Sequence, residues 1–397
     1  MKPAGNPREV FAAFLKLGLI SFGGPVAHLG YFHEEFVVRR RWLDDDAFGD
    51  LVALCQFLPG PASSQVVFAL GMRRAGVPGA LTASFCFTAP SAILMVLFAW
   101  GVGAAGDFHK AGWLHGLKLA AVAVVAQAVW GMGRKLCPDR ARKVFALAAA
   151  AFVLVCPGPA GPLAAIALGA LIGWWIYRRE DTPASGESAG LRIRAHPAAG
   201  LCLFSFFLLL VFLPALASVT GNGNVELFDS FYRAGSLVFG GGHVVLPLLR
   251  AELAPKGWVR DDVFMAGYGA AQALPGPLFT FAAYLGAVMR PGSRAWLRGL
   301  WCLLAIFLPG WLLVAGALPF WEQLRGKGWM QAALKGTNAA VVGVLLAALY
   351  NPVGTEGVKG APDAGVALIA FGLLELWKLP AWLVVLLAAA TGQFLLK

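Results

Sequence analysis

The sequence predicts an all-α polytopic membrane protein: about 13 apolar segments in two inverted-topology repeats, with broken or re-entrant helices at FGG and PGP motifs. Three observations carry this expectation. Of 397 residues, 59% are hydrophobic and only 13% charged, about half the charge of a soluble chain, and mean hydropathy is +0.70. Several stretches, among them 198–219 and 296–318, exceed the roughly 18 apolar residues that span a bilayer. Finally, "FGGP" at Phe22–Pro25 recurs as "FGGG" at Phe239–Gly242, an offset of 217 (239 − 22).

The repeat is long. Residues 22–61 align with 239–277 with one gap, opposite Arg41, and give 14 identities in 39 pairs. Glu35 meets Glu252, Trp42 meets Trp258, and Asp45-Asp46 meet Asp261-Asp262. Gln56 meets Gln272, and Pro59-Gly60-Pro61 meet Pro275-Gly276-Pro277. Upstream, "FLKLG" at 14–18 matches "FYRAG" at 231–235, so Lys16 pairs with Arg233. Biased composition inflates matches among Gly, Leu and Ala, but it does not easily produce Trp, Asp, Gln and Pro-Gly-Pro in order.

In chain order the apolar segments fall near 10–30, 48–70, 76–103, 111–132, 143–156, 160–177, 198–220, 228–250, 264–289, 295–318, 330–350, 364–377 and 379–396. A polar Ser/Gly/Pro- and charge-rich stretch, 178–197, reads as a flexible connector. It divides an N-terminal repeat, 1–177, from a C-terminal repeat, 198–397, which a linking transmembrane helix precedes. Residues 1–10 are short and polar and do not read as a signal peptide.

The net charge of +11 does not point to nucleic acid, because the basic residues cluster in short loops as cytoplasmic loops do. Arg73-Arg74, the 134–143 cluster and the arginines of 178–194 share one side if the N-terminus is cytoplasmic. Six segments then precede 198–220, and this odd crossing starts the second repeat on the opposite face. Segments 10–30 and 48–70 read either as spans or as hairpins turning at FGGP and LPGP. The basic "RRRW" at 39–42 favours hairpins. The six scattered cysteines form no C-x-x-C pair.

The breaks suggest the chemistry. Proline stops a helix or begins one at its first position. Each restart leaves free N–H groups and a positive dipole end, which attract anions. Non-helical backbone at membrane depth survives only where protein or a water-filled cavity satisfies it. Candidate ligands for an anion are therefore the backbone at Gly23, Gly24, Gly60, Gly240, Gly241 and Gly276, with Lys16, Arg233, Gln56, Gln272, Ser63, Ser64 and Thr280 beside them. Each has a plainer reading. Lys16 and Arg233 can snorkel to the interface, and the hydroxyls can cap helix starts. Glu35 and Glu252 are candidates for coupling. Asp45 and Asp261 read more simply as helix caps. Lys118, aligned with Asn338, is a weaker site candidate. His28 and His243 do not align, so no paired role is expected of them. There is no H-x-x-H, Walker loop or nucleophile elbow, so no enzyme, cofactor or metal reading is supported.

The duplicated F-x-[KR]-x-G … F-G-G-[PG] … E … W … F … Q … P-G-P pattern resembles the chromate ion transporter family in its long, two-half form. The resemblance covers nearly the whole chain, with its best motifs at 11–90 and 228–309. It implies secondary active efflux of chromate across the bacterial inner membrane, powered by the proton-motive force and giving chromate resistance. Chromate, with sulfate as a like-shaped rival, and the lipid bilayer are the implied partners, and a homodimer stays open. A general sulfate or oxyanion carrier, an uncoupled anion channel and a receptor without transport are the alternatives. Gly242, where the first half has Pro25, departs from the motif and implies a looser break.

Overall fold

A computed structural model describes residues 6–104, 112–156, 160–178, 197–239, 242–289, 292–321 and 327–395. All regular structure in these residues is helical. Helix α1 (Pro7–Ile20) starts at Asn6, whose side chain accepts from the Arg8 N–H, with Pro7 at the first position. It stops at the FGGP motif. Gly23 and Gly24 take φ of +96° and +76°, a region that residues with side chains rarely adopt. Helix α2 (Gly24–His33) follows and runs into a π turn, Glu34–Arg39. Helix α3 (Asp45–Phe57) is capped by Asp44, which accepts from the Ala47 N–H. The LPGP break, with Gly60 at φ +126°, separates it from α4 (Ala62–Ala104). Helix α4 is itself interrupted at Ala75 and Gly76, where two apolar segments meet in the sequence. Helices α5 (Gly112–Leu136), α6 (Arg140–Val155) and α7 (Ala160–Tyr177) complete the first half. Helix α8 (Pro197–Thr220) follows. Of the 178–197 connector, 179–196 lie outside the described residues.

The second half repeats the plan. Helix α9 (Gly223–Ser236) ends before the second FGG, of which Gly240 and Gly241 lie outside the described residues. A 3-10 turn (Gly242–Val244) leads into α10 (Val245–Leu253). Helix α11 (Asp261–Gln272) stops at the second LPGP, where Gly276 has φ +91°. Another 3-10 turn (Leu278–Thr280) opens α12 (Phe281–Val288). Helices α13 (Ala295–Ala317), α14 (Gly328–Ala348), α15 (Ala361–Glu375) and α16 (Ala381–Leu395) follow.

Among the described residues six stretches are long and apolar enough to cross a membrane: 62–101, 112–136, 160–177, 198–220, 295–320 and 328–357. Helices α1 and α3 are not among them. At 14 and 13 residues each is roughly 20 Å long, short of a ~30 Å hydrocarbon core.

The halves interlock through small residues. Gly112 and Gly116 on α5 lie against Gly392 and Ala388 on α16, while Gly336 on α14 lies against Gly169 and Gly173 on α7. Helix α5 of the first half also packs on α15, and α14 of the second half on α6. Each half therefore inserts one helix into the terminal pair of the other. Glycine permits this backbone contact, because in lipid the association of helices depends on close van der Waals fit. The plan also recurs within each half. Gly18 of α1 sits on the carbonyls of Cys86 and Phe87 in α4, and Gly235 of α9 on that of Ile306 in α13.

Candidate functional site

The four breaks meet in two crossings, each between halves. The Gly276 N–H donates to the Ser21 carbonyl at 2.8 Å, and the Gly60 N–H donates to the Val238 carbonyl at 2.7 Å. Ser21 and Val238 are repeat equivalents (238 − 21 = 217), each the residue before its FGG. Thus the PGP glycine of each half docks on the FGG shoulder of the other. The fit is close at both. A Cβ on Gly276 would stand 2.9 Å from Ser91 Oγ, and one on Gly60 would stand 3.3 Å from the Gly310 Cα. A reciprocal contact of this kind is what a two-fold relation between two units produces.

Polar groups without partners gather along these crossings. Ser21 Oγ, Ser64 Oγ, Gln272 Nε2, Trp311 Nε1 and Trp321 Nε1 have none among the described residues, and Ser21 and Ser64 are buried. Unpaired buried donors are uncommon in folded proteins, and here five adjoin broken helices. His28, also buried, places Nε2 3.1 Å from the Ser21 carbonyl. His243 Nδ1 lies 2.9 Å from the Tyr268 hydroxyl. The two histidines do not align in sequence, and of the two it is His28 that bonds at a crossing. Thr280 donates back to the Pro277 carbonyl at 2.9 Å, a helix-start bond. Ser63 is buried. Gln56 is exposed, unlike its repeat mate.

The expected cations and carboxylates come together, half by half. Lys16 Nζ stands 3.1 Å from Glu35 Oε2, and Arg233 Nη2 stands 3.1 Å from Glu252 Oε2. Nothing in the sequence reading paired these residues, and the two pairs have different company. Glu35 also accepts from Arg40 Nε at 2.8 Å and lies 3.8 Å from Arg39. Arg233 is shared with Asp229, 2.9 Å from the same Nη2. Around them the repeat extends further. Glu9 binds Arg74 at 2.8 Å and Arg40 at 3.6 Å, and Glu226, its mate at offset 217, binds Lys256 at 2.9 Å. Arg74 lies over the Trp42 ring and Lys256 over that of Trp258. Burial alone would push the Glu9 carboxyl up, but hydrogen bonds from Arg74 and Trp42 hold it below the usual range.

Asp44 caps its helix. Asp45 pairs instead with His33 at 2.7 Å, and Asp261 with Arg250 at 2.8 Å. Lys118 is partly buried on α5, beside the charges of Asp262 and Glu356. Among the described residues no group of three His, Cys, Asp or Glu side chains is placed to hold a metal.

The crossings thus gather unpartnered hydroxyl, amide and indole groups beside the broken helices, with the ion pairs on the same short helices. Comparison with known proteins gives this arrangement a context. The family model described as Chromate transporter matches residues 8–174 and again 225–393, one copy per half. The chain is 31% identical to a chromate transport protein of Pseudomonas aeruginosa, over 96% of this chain and 90% of the relative. It is 25% identical to a probable chromate transport protein of Synechococcus elongatus (98% and 96% covered) and 25% identical to a chromate transport protein of Cupriavidus metallidurans (95% and 90%). No solved structure matches it. The doubled family match, near-complete coverage and transporter relatives agree with the apolar helices and the duplicated breaks: this multi-pass membrane chain belongs to the chromate transporter family.

Proposed function

We propose that the chain carries chromate out of the bacterial cytoplasm, across the inner membrane, by secondary transport, and so confers chromate resistance. The observation that supports this best is the pair of reciprocal crossings, Gly276 to Ser21 and Gly60 to Val238. They bring four helix breaks from both halves to the places where unpartnered donors lie. In this reading the 13 segments form two inverted repeats. The repeats are 1–177 and 198–397, the latter led by its linking helix, with 178–197 as connector. The N-terminus is cytoplasmic, and the first two segments of each repeat are re-entrant hairpins whose tips are the FGG and LPGP breaks.

The dianion lies between the tips. The backbone at Gly23 and Gly24 and the side chains of Ser63, Ser64, Gln56 and Gln272 serve its oxygens, while Gly60, Gly276 and Thr280, whose donors are already bonded to the Val238, Ser21 and Pro277 carbonyls, hold the tips in place. Lys16 and Arg233 balance its charge, each on loan from its carboxylate partner, Glu35 or Glu252. Export needs little chemistry. Moving one charge across 100 mV is worth about 2.3 kcal/mol, so an inside-negative membrane drives a dianion outward with about 4.6 kcal/mol per 100 mV. Rocking one half against the other, with the crossings as the changing contacts, gives alternating access.

Sulfate has the same shape and charge and is the natural competitor. The test is chromate uptake into inverted membrane vesicles, energised or not, with excess sulfate. Energised uptake that resists sulfate supports the chromate reading. Uptake blocked by sulfate makes the chain a general oxyanion carrier, and an absence of uptake removes transport.

A further inference from the structure

The two cation–carboxylate pairs are repeat equivalents, yet one carries a group that the other lacks. Asp229 has Ala12 as its counterpart at offset 217 (229 − 12). In the second half Asp229 Oδ2 and Glu252 Oε2 both lie on one guanidinium nitrogen, Arg233 Nη2, at 2.9 and 3.1 Å. The two carboxylate side chains are 4% and 5% exposed. Asp229 Oδ1 has no hydrogen-bond partner among the described residues. In the first half a single carboxylate, Glu35, is surrounded by Lys16, Arg40 and Arg39.

We propose that Asp229 and Glu252 form a proton-binding dyad around Arg233, a site confined to the second half. Two buried carboxylates that share one cation resist simultaneous ionisation, and they titrate as a pair. The nearest other cation, Lys256, reaches both carboxylates only as a distant charge. Lys256 is committed to Glu226 and to the Ser230 hydroxyl, and Arg250 to Asp261. Helix α8, packed on α9, contains no charged residue, and α13 on its other side contributes Arg298. A proton from water therefore forms an O–H bond on the dyad, with Asp229 Oδ1 as a free acceptor, and the triad changes from a net charge of −1 to zero. Glu35, among three cations, stays ionised. A site that takes up and gives back a proton supplies what exchange of a proton for an anion requires. Only that consequence rests on the transport reading.

Infrared spectroscopy of the purified protein tests the proposal without any flux. Wild type at neutral pH should show the carbonyl stretch of one buried protonated carboxyl, which disappears as pH is raised. Asp229→Asn and Glu252→Gln should each abolish it, and Glu35→Gln should leave it. Absence of the band in folded wild type, or its persistence in both dyad variants, would overturn the proposal. Because wild type alone can fail the test, a variant that does not fold leaves it decisive. A vesicle assay that showed no chromate movement would sink the transport reading and leave the dyad standing.

Discussion

Arg233 and Lys16 occupy equivalent positions, yet their loss should cost very different amounts. Arg233→Gln strands the ionised member of a carboxylate pair, Asp229 and Glu252, that is almost wholly buried. Removing one partner from a buried ion pair costs about 3–5 kcal/mol, because the remaining charge is left uncompensated. Lys16→Gln removes a side chain that is 45% exposed, and Glu35 keeps Arg40 at 2.8 Å. A half-exposed pair contributes about 0–1 kcal/mol. Large domains lose about 2 °C of melting temperature per kcal/mol. Thermal unfolding in detergent should therefore fall by roughly 6–10 °C for Arg233→Gln and by about 2 °C or less for Lys16→Gln. Neutralising the stranded groups, in the triple variant Asp229→Asn, Arg233→Gln, Glu252→Gln, should recover most of the loss. Equal destabilisation by the two single variants would refute the reasoning. The triple variant also separates packing from transport in this cluster. Restored stability without restored chromate movement means that the cluster takes part in transport, through the guanidinium or through the proton dyad that it holds. Restoration of both means that it only holds α9 to α10.

Other consequences follow from the same geometry. Gly60→Ala and Gly276→Ala force φ of +126° and +91° on a side chain, at about 1–3 kcal/mol each, and press on the opposite half. Both should lower chromate movement in vesicles more than Gly30→Ala, which keeps an ordinary helical φ and whose added Cβ meets nothing within 4 Å. Gly336→Val would drive a side chain into the Gly169 and Gly173 backbone and should abolish folded protein in the membrane, whereas Gly131→Ala, with open space around it, should leave yield unchanged. Asp139 caps α6 between membrane segments. The Arg142 backbone N–H, and then the Arg142 side chain, hold its carboxyl below the usual range. A depressed carboxyl stabilises above its unfolded pKa and loses that contribution as pH falls. Asp139→Ala should cost about 1 kcal/mol at neutral pH and progressively less below about pH 4, as read by thermal unfolding.

The breaks were legible in the sequence because their cause is local. A proline cannot continue a helix, and glycine alone is at ease at positive φ, so FGGP and LPGP announce themselves without tertiary information. The repeat was legible because Trp, Gln and Pro-Gly-Pro recur in order. What remained hidden is long-range or unpaired. That LPGP of one half docks on FGG of the other is a contact between residues more than 170 positions apart, and neither motif names its partner. In sequence, Lys16 and Glu35 suggest separate tasks. Their 19-residue spacing spans a broken helix, and no period relates residues across a break. Asp229 left no trace because comparing the halves finds only what both possess, and Ala12 stands in its place. Gln56 and Gln272 look alike in the alignment, but Gln56 is exposed while Gln272 carries an unpartnered amide nitrogen. Burial separates them, and burial depends on neighbours from the other half.

The central claim, that this chain by itself moves a chromate dianion in answer to the membrane potential, is tested most directly with purified protein in liposomes. An imposed inside-positive potential should drive chromate inward in protein-containing vesicles, collapse of the potential should stop it, and Gly276→Ala should blunt it. Chromate movement that equals that of protein-free liposomes at every potential would contradict the account.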